Sequence, residues 1–389
     1  MKNNRTFLEK LLDGAEVEWK PLIKVASLTR GRVISKEYLA NNLGDYPVYS
    51  SQTVNNGEIG KINSFDFDGE FVSWTTDGAN AGTVFYRSGK FSITNVCGLI
   101  KIQNNLELNY KFLFYWLSIE AKNHVYSGMG NPKLMSHQME KILIPIPPLS
   151  VQTEIVKILD ALTALTSELT SELILRQKQY EYYREKLLSE EELGKVGFEW
   201  KTIDEISKKI SSGGTPTTSN NGYYDNGTIP WLRTQEVDFK EIWDTNIKIT
   251  EDALNNSSAK WIPANCVIVA MYGATVGKTA INKIPLTTNQ ACANIEINDK
   301  LACYRYIFHY LTSKYEYIKS LGSGSQTNIN AQIKKLKVPV PPIEEQQRIV
   351  SILDKFETLT NSITEGLPLA IEQSQKRYEY YRELLLNFS

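Results

Sequence analysis

Apolar residues recur along two stretches of the chain with the same step. After Pro147-Pro148 they fall at Ile155, Ile158, Leu162, Leu165, Leu169 and Leu173. After Pro341-Pro342 they fall at Ile349, Ile352, Phe356, Leu359, Ile363 and Leu367. Both rows step 3, 4, 3, 4, 4, a helical stripe with a four-residue step where a heptad would require three. The proline pair stops a preceding strand and suits the first turn of a helix. A stripe this narrow needs a partner, and two equivalent stripes predict two connector helices that pair with each other. The stripes belong to longer copies: Ile144–Asp160 returns as Val338–Asp354, and Lys178-Gln-Tyr-Glu-Tyr-Tyr-Arg184 returns as Lys376-Arg-Tyr-Glu-Tyr-Tyr-Arg382. The second connector is four residues longer between its Asp and first Tyr. There Gly366 and Pro368 predict a kink or interruption. The first connector instead repeats Leu-Thr-Ser-Glu at 165–168 and 169–172.

Each connector follows a divergent segment of short alternating runs separated by Gly, Asn, Asp and Ser, which read as strands and turns. The two segments run in parallel. Val17-Glu-Trp-Lys20 matches Phe198-Glu-Trp-Lys201, and Tyr46–Gln52 matches Ile229–Gln235. Asp77-Gly-Ala-Asn-Ala-Gly-Thr83 matches Tyr272-Gly-Ala-Thr-Val-Gly-Lys278, and Thr94–Cys97 matches Thr288–Cys292. A helix is predicted at Tyr110–Leu117 and again at Tyr304–Leu311, each followed by a Gly-x-Gly loop at Gly128/Gly130 and Gly322/Gly324. The expected fold class is α+β: two α/β domains separated by two long antiparallel, coiled-coil-like helices, as a pseudo-two-fold internal repeat. The boundaries read as 1–147, a central connector 148–193, 194–341 and a C-terminal connector 342–389. Phe7–Leu12 is expected near the end of the last helix, as Leu187–Leu193 closes the first cycle.

A chain of 389 residues with 42% hydrophobic and 22% charged residues is long enough for two domains with real cores. No apolar run approaches the roughly 20 residues of a membrane helix, and the first ten residues are too polar for a secretory signal. Cys97, Cys266, Cys292 and Cys303 are scattered without a C-x-x-C spacing, which reads as buried free thiols in a reducing cytoplasm. Three unclustered histidines argue against a His-based metal site. A net charge of −1 is awkward for a nucleic-acid binder, although Arg30, Arg32 and Lys36, and again Lys334, Lys335 and Lys337, form local basic clusters.

No catalytic motif stands up. Gly273-Ala-Thr-Val-Gly-Lys-Thr279 is one residue short of a phosphate loop, with Tyr272 where glycine is needed. Its counterpart at 78–82 lacks the Lys-Thr, so both read as tight Gly-x-x-x-Gly turns. Glu18-Trp-Lys20 and Glu199-Trp-Lys201 resemble half of a nuclease site but lack an acidic partner, and Trp19 and Trp200 read as core or hinge anchors. Asn131-Pro-Lys133 departs from an amino-methylation motif at the lysine, and no glycine-rich loop for an adenosyl cofactor follows an obvious strand.

The polar loops hold candidate base and phosphate contacts. In the first segment these are Arg30, Arg32, Ser50, Ser51, Gln52, Thr75, Asn80 and Lys133. In the second they are Thr215, Thr217, Arg233, Gln235, Thr275, Lys278, Gln326, Asn328 and Asn330. Any single one also fits a plain surface polar residue. On the connectors, Tyr180, Tyr183 and Arg184, and likewise Tyr378, Tyr381 and Arg382, share one helix face at i, i+3 and i+4. Such a face suits a protein interface, or it closes the helix pair.

The duplicated Pro-x-Pro-Pro with Gln152/Ile155 and Gln346/Ile349, the twin Tyr-Glu-Tyr-Tyr-Arg runs and the Leu-Thr-Ser-Glu echo resemble the specificity subunit of type I restriction–modification systems, over the whole chain. The Gly/Pro break and the neutral charge are departures. The resemblance implies a non-catalytic protein in the cytoplasm, whose two target recognition domains each read half of a split sequence in double-stranded DNA. It implies helices that act as a ruler and dock two modification (methyltransferase) and two restriction (translocase/nuclease) subunits. It implies no cofactor or metal in this chain, with S-adenosylmethionine, ATP and Mg used by those partners. The competing readings are an enzyme with its own nuclease or methyltransferase site, and a stand-alone DNA-binding regulator.

Overall fold

The structure is a computed structural model that describes residues 6–128, 130–321 and 329–388. The chain divides into two compact units, residues 1–169 with 371–389 and residues 170–370.

In the first unit a six-stranded sheet runs in the order Ala26–Arg30, Cys97–Ile102, Phe67–Thr75, Val84–Ile93, Leu43–Tyr49, Glu58–Ile62. Its pairs are antiparallel except Leu43–Tyr49, which lies parallel to Val84–Ile93 with Val48 opposite Ser92. The second unit has a similar five-stranded sheet: Ser207–Ser212, Cys292–Ile297, Val267–Ala270, Thr279–Asn282, Lys240–Ile242, with its fourth and fifth strands parallel. It adds a four-stranded sheet of Lys248–Ile249, Ile229–Leu232, Leu286–Thr288 and Trp261–Ile262. In each unit a small ribbon joins the entering strand to the strand before the prolines: Glu18–Pro21 with Leu143–Ile146, and Glu199–Thr202 with Lys337–Val340. Trp19 and Trp200 sit on these ribbons, 41% and 45% exposed. That removes the core alternative from their reading as core or hinge anchors: a two-stranded ribbon covers only one of its faces.

The connectors form as the stripes predict. One helix spans Leu149–Leu187, 39 residues; the second is split into Ile343–Asn361 and Leu367–Leu385. Gly366 at φ +85° turns the chain between the halves, and Pro368 sits in the first turn of the next helix, where no backbone N–H is missed. The stripe leaves Leu165 37% exposed on the first helix, and it fails at Ile363, which lies in this break and is 77% exposed. A helix period cannot bury a residue that is not helical.

Two buried glutamines, Gln152 and Gln346, each stand four residues after a proline pair. Gln152 accepts from the Asn109 N–H (2.9 Å) and donates to the carbonyls of Glu107 (2.8 Å) and Pro147 (2.9 Å). Gln346 accepts from the Cys303 N–H (2.8 Å) and donates to the Pro341 carbonyl (2.8 Å). Each thus ties the start of a connector to the start of the preceding domain helix. One turn or two farther on, Asp160 accepts from Lys111 (2.5 Å) and Tyr115 (2.7 Å), while Asp354 accepts from Arg305 (2.8 Å) and His309 (2.8 Å). His309, Asp354 and Glu357 lie close enough together for a metal. The Arg305 guanidinium already occupies both carboxylates and Glu241 as an ion-pair partner.

Within the first unit, Val151, Ile155, Val156 and Leu159 share one core with Leu8, Leu385 and Leu386, and Leu11, Leu12, Tyr378 and Tyr381 pack against it. Phe7–Leu12 therefore lies where the repeat predicts. Thr166 Oγ1 and Ser374 Oγ are 2.8 Å apart. Within the second unit, Leu188 and Leu193 join Ile349 and Leu353 in one core, and Tyr183 stacks on Phe356 at 5.5 Å. Cys97, Cys266 and Cys292 are buried and Cys303 half-buried, all as free thiols. Burial pushes the Cys97 thiol up to about 11 and those of Cys266 and Cys292 up to about 12. No helix among the described residues is long and apolar enough to cross a membrane.

Candidate nucleic-acid interface

In the first unit the Gly78–Gly82 turn links Phe67–Thr75 to Val84–Ile93. Mutual bonds close it: the Thr75 N–H to Thr83 O and the Gly82 N–H to Thr75 O, both 2.9 Å. Gly82 has φ +78°, and a Cβ there would come within 2.7 Å of Val125 Cγ2, so glycine is required twice over. The turn is tied to the segment after Leu43–Tyr49, because Asn80 Nδ2 donates to Ser51 O at 3.0 Å. Thr94 Oγ1 donates to Ser50 Oγ at 2.9 Å. The 126–133 loop joins the same patch: the Gly78 N–H donates to Pro132 O at 3.0 Å, and Tyr126 and Lys133 exchange backbone bonds.

The structure therefore brings Ser50, Ser51, Asn80 and Lys133 together. Gln52 is exposed beside them, its amide donating to Glu58 O at 2.5 Å. Arg30 reaches the patch through Asn95 O at 2.6 Å, next to Thr94. Arg32 turns elsewhere, gripping Asp66 (2.9 Å) with its guanidinium 5.0 Å from the Tyr38 ring. The Asp66 hydrogen bond holds its proton more tightly than usual. Thr75 is fully buried. That corrects its place among surface contacts: residues 71–75 are all buried, so both faces of the strand are covered there.

The sequence reading missed Arg87. It is 2% exposed and lies beneath the 50–57 loop. Its Nη1 donates to Asn56 O (2.8 Å), its Nε donates to Ser73 Oγ (3.0 Å), and its guanidinium lies 3.6 Å from the Tyr49 ring centroid. Asn55 and Asn56 both adopt positive φ, 51° and 53°. Burial lowers the Arg87 pKa to about 10. Nothing in the sequence marks this arginine; the paired asparagines were the available sign of an unusual turn.

The second unit builds the same patch from other residues. The Ala270 N–H donates to Lys278 O (2.9 Å) and the Gly277 N–H to Ala270 O (2.8 Å), closing the equivalent turn. Thr275, at the position of Asn80, donates its hydroxyl to Thr234 O at 2.7 Å, and Thr234 stands where Ser51 stands. The Asn289 N–H donates to Leu232 O and the Gly214 N–H to Thr288 O, both 2.9 Å. These bonds draw in Arg233, Gln235 and Thr215; the Thr215 hydroxyl donates to Gln290. Gln235 and Thr217 are exposed. Arg233 lies 4.0 Å from the buried Glu236, and Lys278 is 2.6 Å from Asp238. Gln326 and Asn328, with the Gly322/Gly324 loop, lie outside the described residues. Asn330 falls in the helix Ile329–Lys335.

At the connector ends the face chosen by spacing turns inward. Arg184 lies 5.2 Å from the Tyr180 ring and Arg382 lies 5.6 Å from the Tyr378 ring. Burial pushes the Tyr180 hydroxyl up to about 12. Tyr180, Tyr378, Tyr381, Arg184 and Arg382 are half-buried in the helix packing, while Tyr183 stacks and stays partly exposed. The tyrosines that face outward are Tyr182 (58%) and Tyr380 (62%), which the spacing argument passed over.

Comparison with known proteins supports this picture. The family model for the type I restriction modification DNA specificity domain matches residues 15–176 and again 195–373. The chain is 42% identical, over all of both proteins, to a Haemophilus influenzae protein provisionally assigned as a type I restriction enzyme specificity subunit. It is 37% identical to the EcoR124I/EcoR124II specificity subunit of Escherichia coli, over 98% of this chain and 97% of that one. The crystal structure of a type I restriction–modification S subunit from M. genitalium has the same fold, with a TM-score of 0.60 at 16% identity, over 99% of this chain and 96% of that one.

Proposed function

The chain belongs to the type I restriction–modification DNA specificity domain family, and we propose from that premise that each unit reads one half of a split sequence in double-stranded DNA. One observation carries the reading. The same hydrogen bond ties the glycine turn to the neighbouring loop in both units, yet the side chains displayed on that frame differ. Arg233 stands where Ser50 stands and Thr275 where Asn80 stands, while Gln235 repeats Gln52 and the buried Thr234 keeps the hydroxyl of Ser51. A shared frame with divergent polar groups is what two readers of different base sequences require, because base edges are distinguished by donor and acceptor pattern.

The rest follows from this assignment. The chain is a recognition subunit without a catalytic centre of its own. Two modification subunits dock on it and methylate adenine with S-adenosylmethionine; two restriction subunits join them and use ATP and Mg. The connectors act as the ruler between half-sites. The complex works in the cytoplasm, and partner subunits share the contacts to phosphate, which accounts for the near-neutral charge.

The test is divided labour. In the assembled methyltransferase, Gln235→Ala should relax one half-site and Gln52→Ala the other. A lost base contact costs about 1–3 kcal/mol of discrimination. Sequencing of methylated adenines reads both halves at once. A substitution in one unit that relaxed both half-sites equally would sink the two-reader assignment.

A further inference from the structure

Duplication lets the two units be compared position by position, and they differ where the first is plugged. In the first unit Phe388 lies 6.0 Å from Phe112 and 6.2 Å from Trp116, ring centroid to ring centroid. Trp116 in turn meets Trp19 edge-on at 5.5 Å. Counting from the Tyr-Tyr-Arg runs, Glu190 occupies the position of Phe388. By the same repeat, Tyr310 stands for Trp116 and Trp200 for Trp19. The second unit has these walls, with Phe198 meeting Trp200 edge-on at 5.4 Å, and among the described residues it has no aromatic at the position of Phe388.

What remains is a cleft of about 300 Å³ lined by Leu188, Trp200, Tyr310 and Pro339, with Glu185 and Glu190 on one side and Lys314 beside a larger hollow. That hollow, of about 700 Å³, shares Trp200, Tyr310 and Lys314 and adds Tyr317, Lys335 and Lys337. Among the described residues the larger lining has three lysines and no carboxylate. The basic character is stronger in this unit: Glu120 holds the position of Lys314 and Leu143 that of Lys337, while Lys141 matches Lys335. Gln332 also lines the hollow, and its Oε1 is buried without a hydrogen-bond partner. Aromatic walls want an aromatic insert, a lysine rim wants carboxylates, and an orphan acceptor wants a donor.

We propose that this cleft receives an aromatic side chain, flanked by carboxylates, from the modification subunit. The inference rests on the reading that such a subunit docks on this chain. It adds that the two docking events differ, since the first unit fills its own cleft with Phe388 and only the second is open to an anchor from outside.

The experiment uses the full chain and the modification subunit encoded with it. Glu190→Phe supplies the plug from within, and Lys314→Glu reverses the rim charge. Uptake of the modification subunit is titrated by calorimetry, with DNA binding by the chain alone as a control. Glu190→Phe should leave the melting temperature unlowered and weaken one of the two docking events by about 30-fold, the size of one aromatic hot spot. Lys314→Glu should weaken the same event, more strongly at low salt. If both variants take up the subunit within about twofold of the wild type, the proposal is wrong. It is equally wrong if Lys314→Glu lowers only DNA binding, which would place the lysines on phosphate. A wild-type chain that takes up no modification subunit would instead overturn the docking reading beneath it. Should Glu190→Phe fail to fold, Lys314→Glu still decides.

Discussion

Replacing Arg87 with methionine separates loop position from fold stability. The change removes the bonds to Asn56 O and Ser73 Oγ and the stack on Tyr49. A hydrogen bond from a charged group contributes about 1.5–3 kcal/mol, so two contribute roughly 3–6 kcal/mol. Against this stands the cost of burying the guanidinium. Its pKa falls from 12.5 to about 10, a penalty of roughly 3 kcal/mol for holding the charge there. The two nearly offset, leaving a net loss on the order of 2 kcal/mol. That corresponds to about 4–8 °C in Tm for a unit of this size, so the protein should still fold. The 50–57 loop loses its anchor all the same, because methionine offers no donor to the Asn56 carbonyl. Discrimination at the first unit's half-site should fall by roughly 5- to 150-fold, the equivalent of about 1–3 kcal/mol, with the second half-site unchanged. Competition binding of the assembled complex against duplexes altered in one half at a time measures both. A folded Arg87→Met complex that discriminates at the first half-site within about twofold of the wild type would refute the reasoning.

Two further outcomes are expected. Gln346→Leu leaves the half-buried Cys303 N–H and the buried Pro341 carbonyl unpaired, which should destabilise the second unit by about 1–3 kcal/mol; calorimetric unfolding indistinguishable from wild type would show that the tie contributes nothing. Inserting another Leu-Thr-Ser-Glu after Glu172 lengthens the connector by roughly 6 Å and restores a glutamate four residues before Arg176, preserving the ion pair seen at 2.7 Å. The methylated sequence should gain at most about two unread base pairs between unchanged half-sites, since duplex DNA rises about 3.4 Å per pair, and an unaltered spacer with full methylation would reduce the helices to a tether.

The sequence by itself determined the duplication, the two connectors, the break at Gly366 and the glycine turns at 78–82 and 273–277. Each of these is written in local terms: a helical period, a proline pair, a residue that must take positive φ. Local spacing also found the Tyr/Arg face but left its direction open between a partner and the helix pair, since that choice depends on what packs against the helix. Tertiary structure decided which polar groups are presented at all. Arg32 is spent on Asp66, 34 residues away; Asn80 is tied to Ser51 across 29 residues, and Thr275 to Thr234 across 41. Arg87 goes beneath a loop and Thr75 into the layer for the same reason. The open cleft beside Trp200 is likewise a property of packing: Glu190 and Phe388 differ by one side chain, and only the fold shows that one unit carries a plug there and the other a vacancy. Helices and turns follow from neighbours along the chain, whereas the exposure and pairing of a side chain are set by residues that arrive from elsewhere in it.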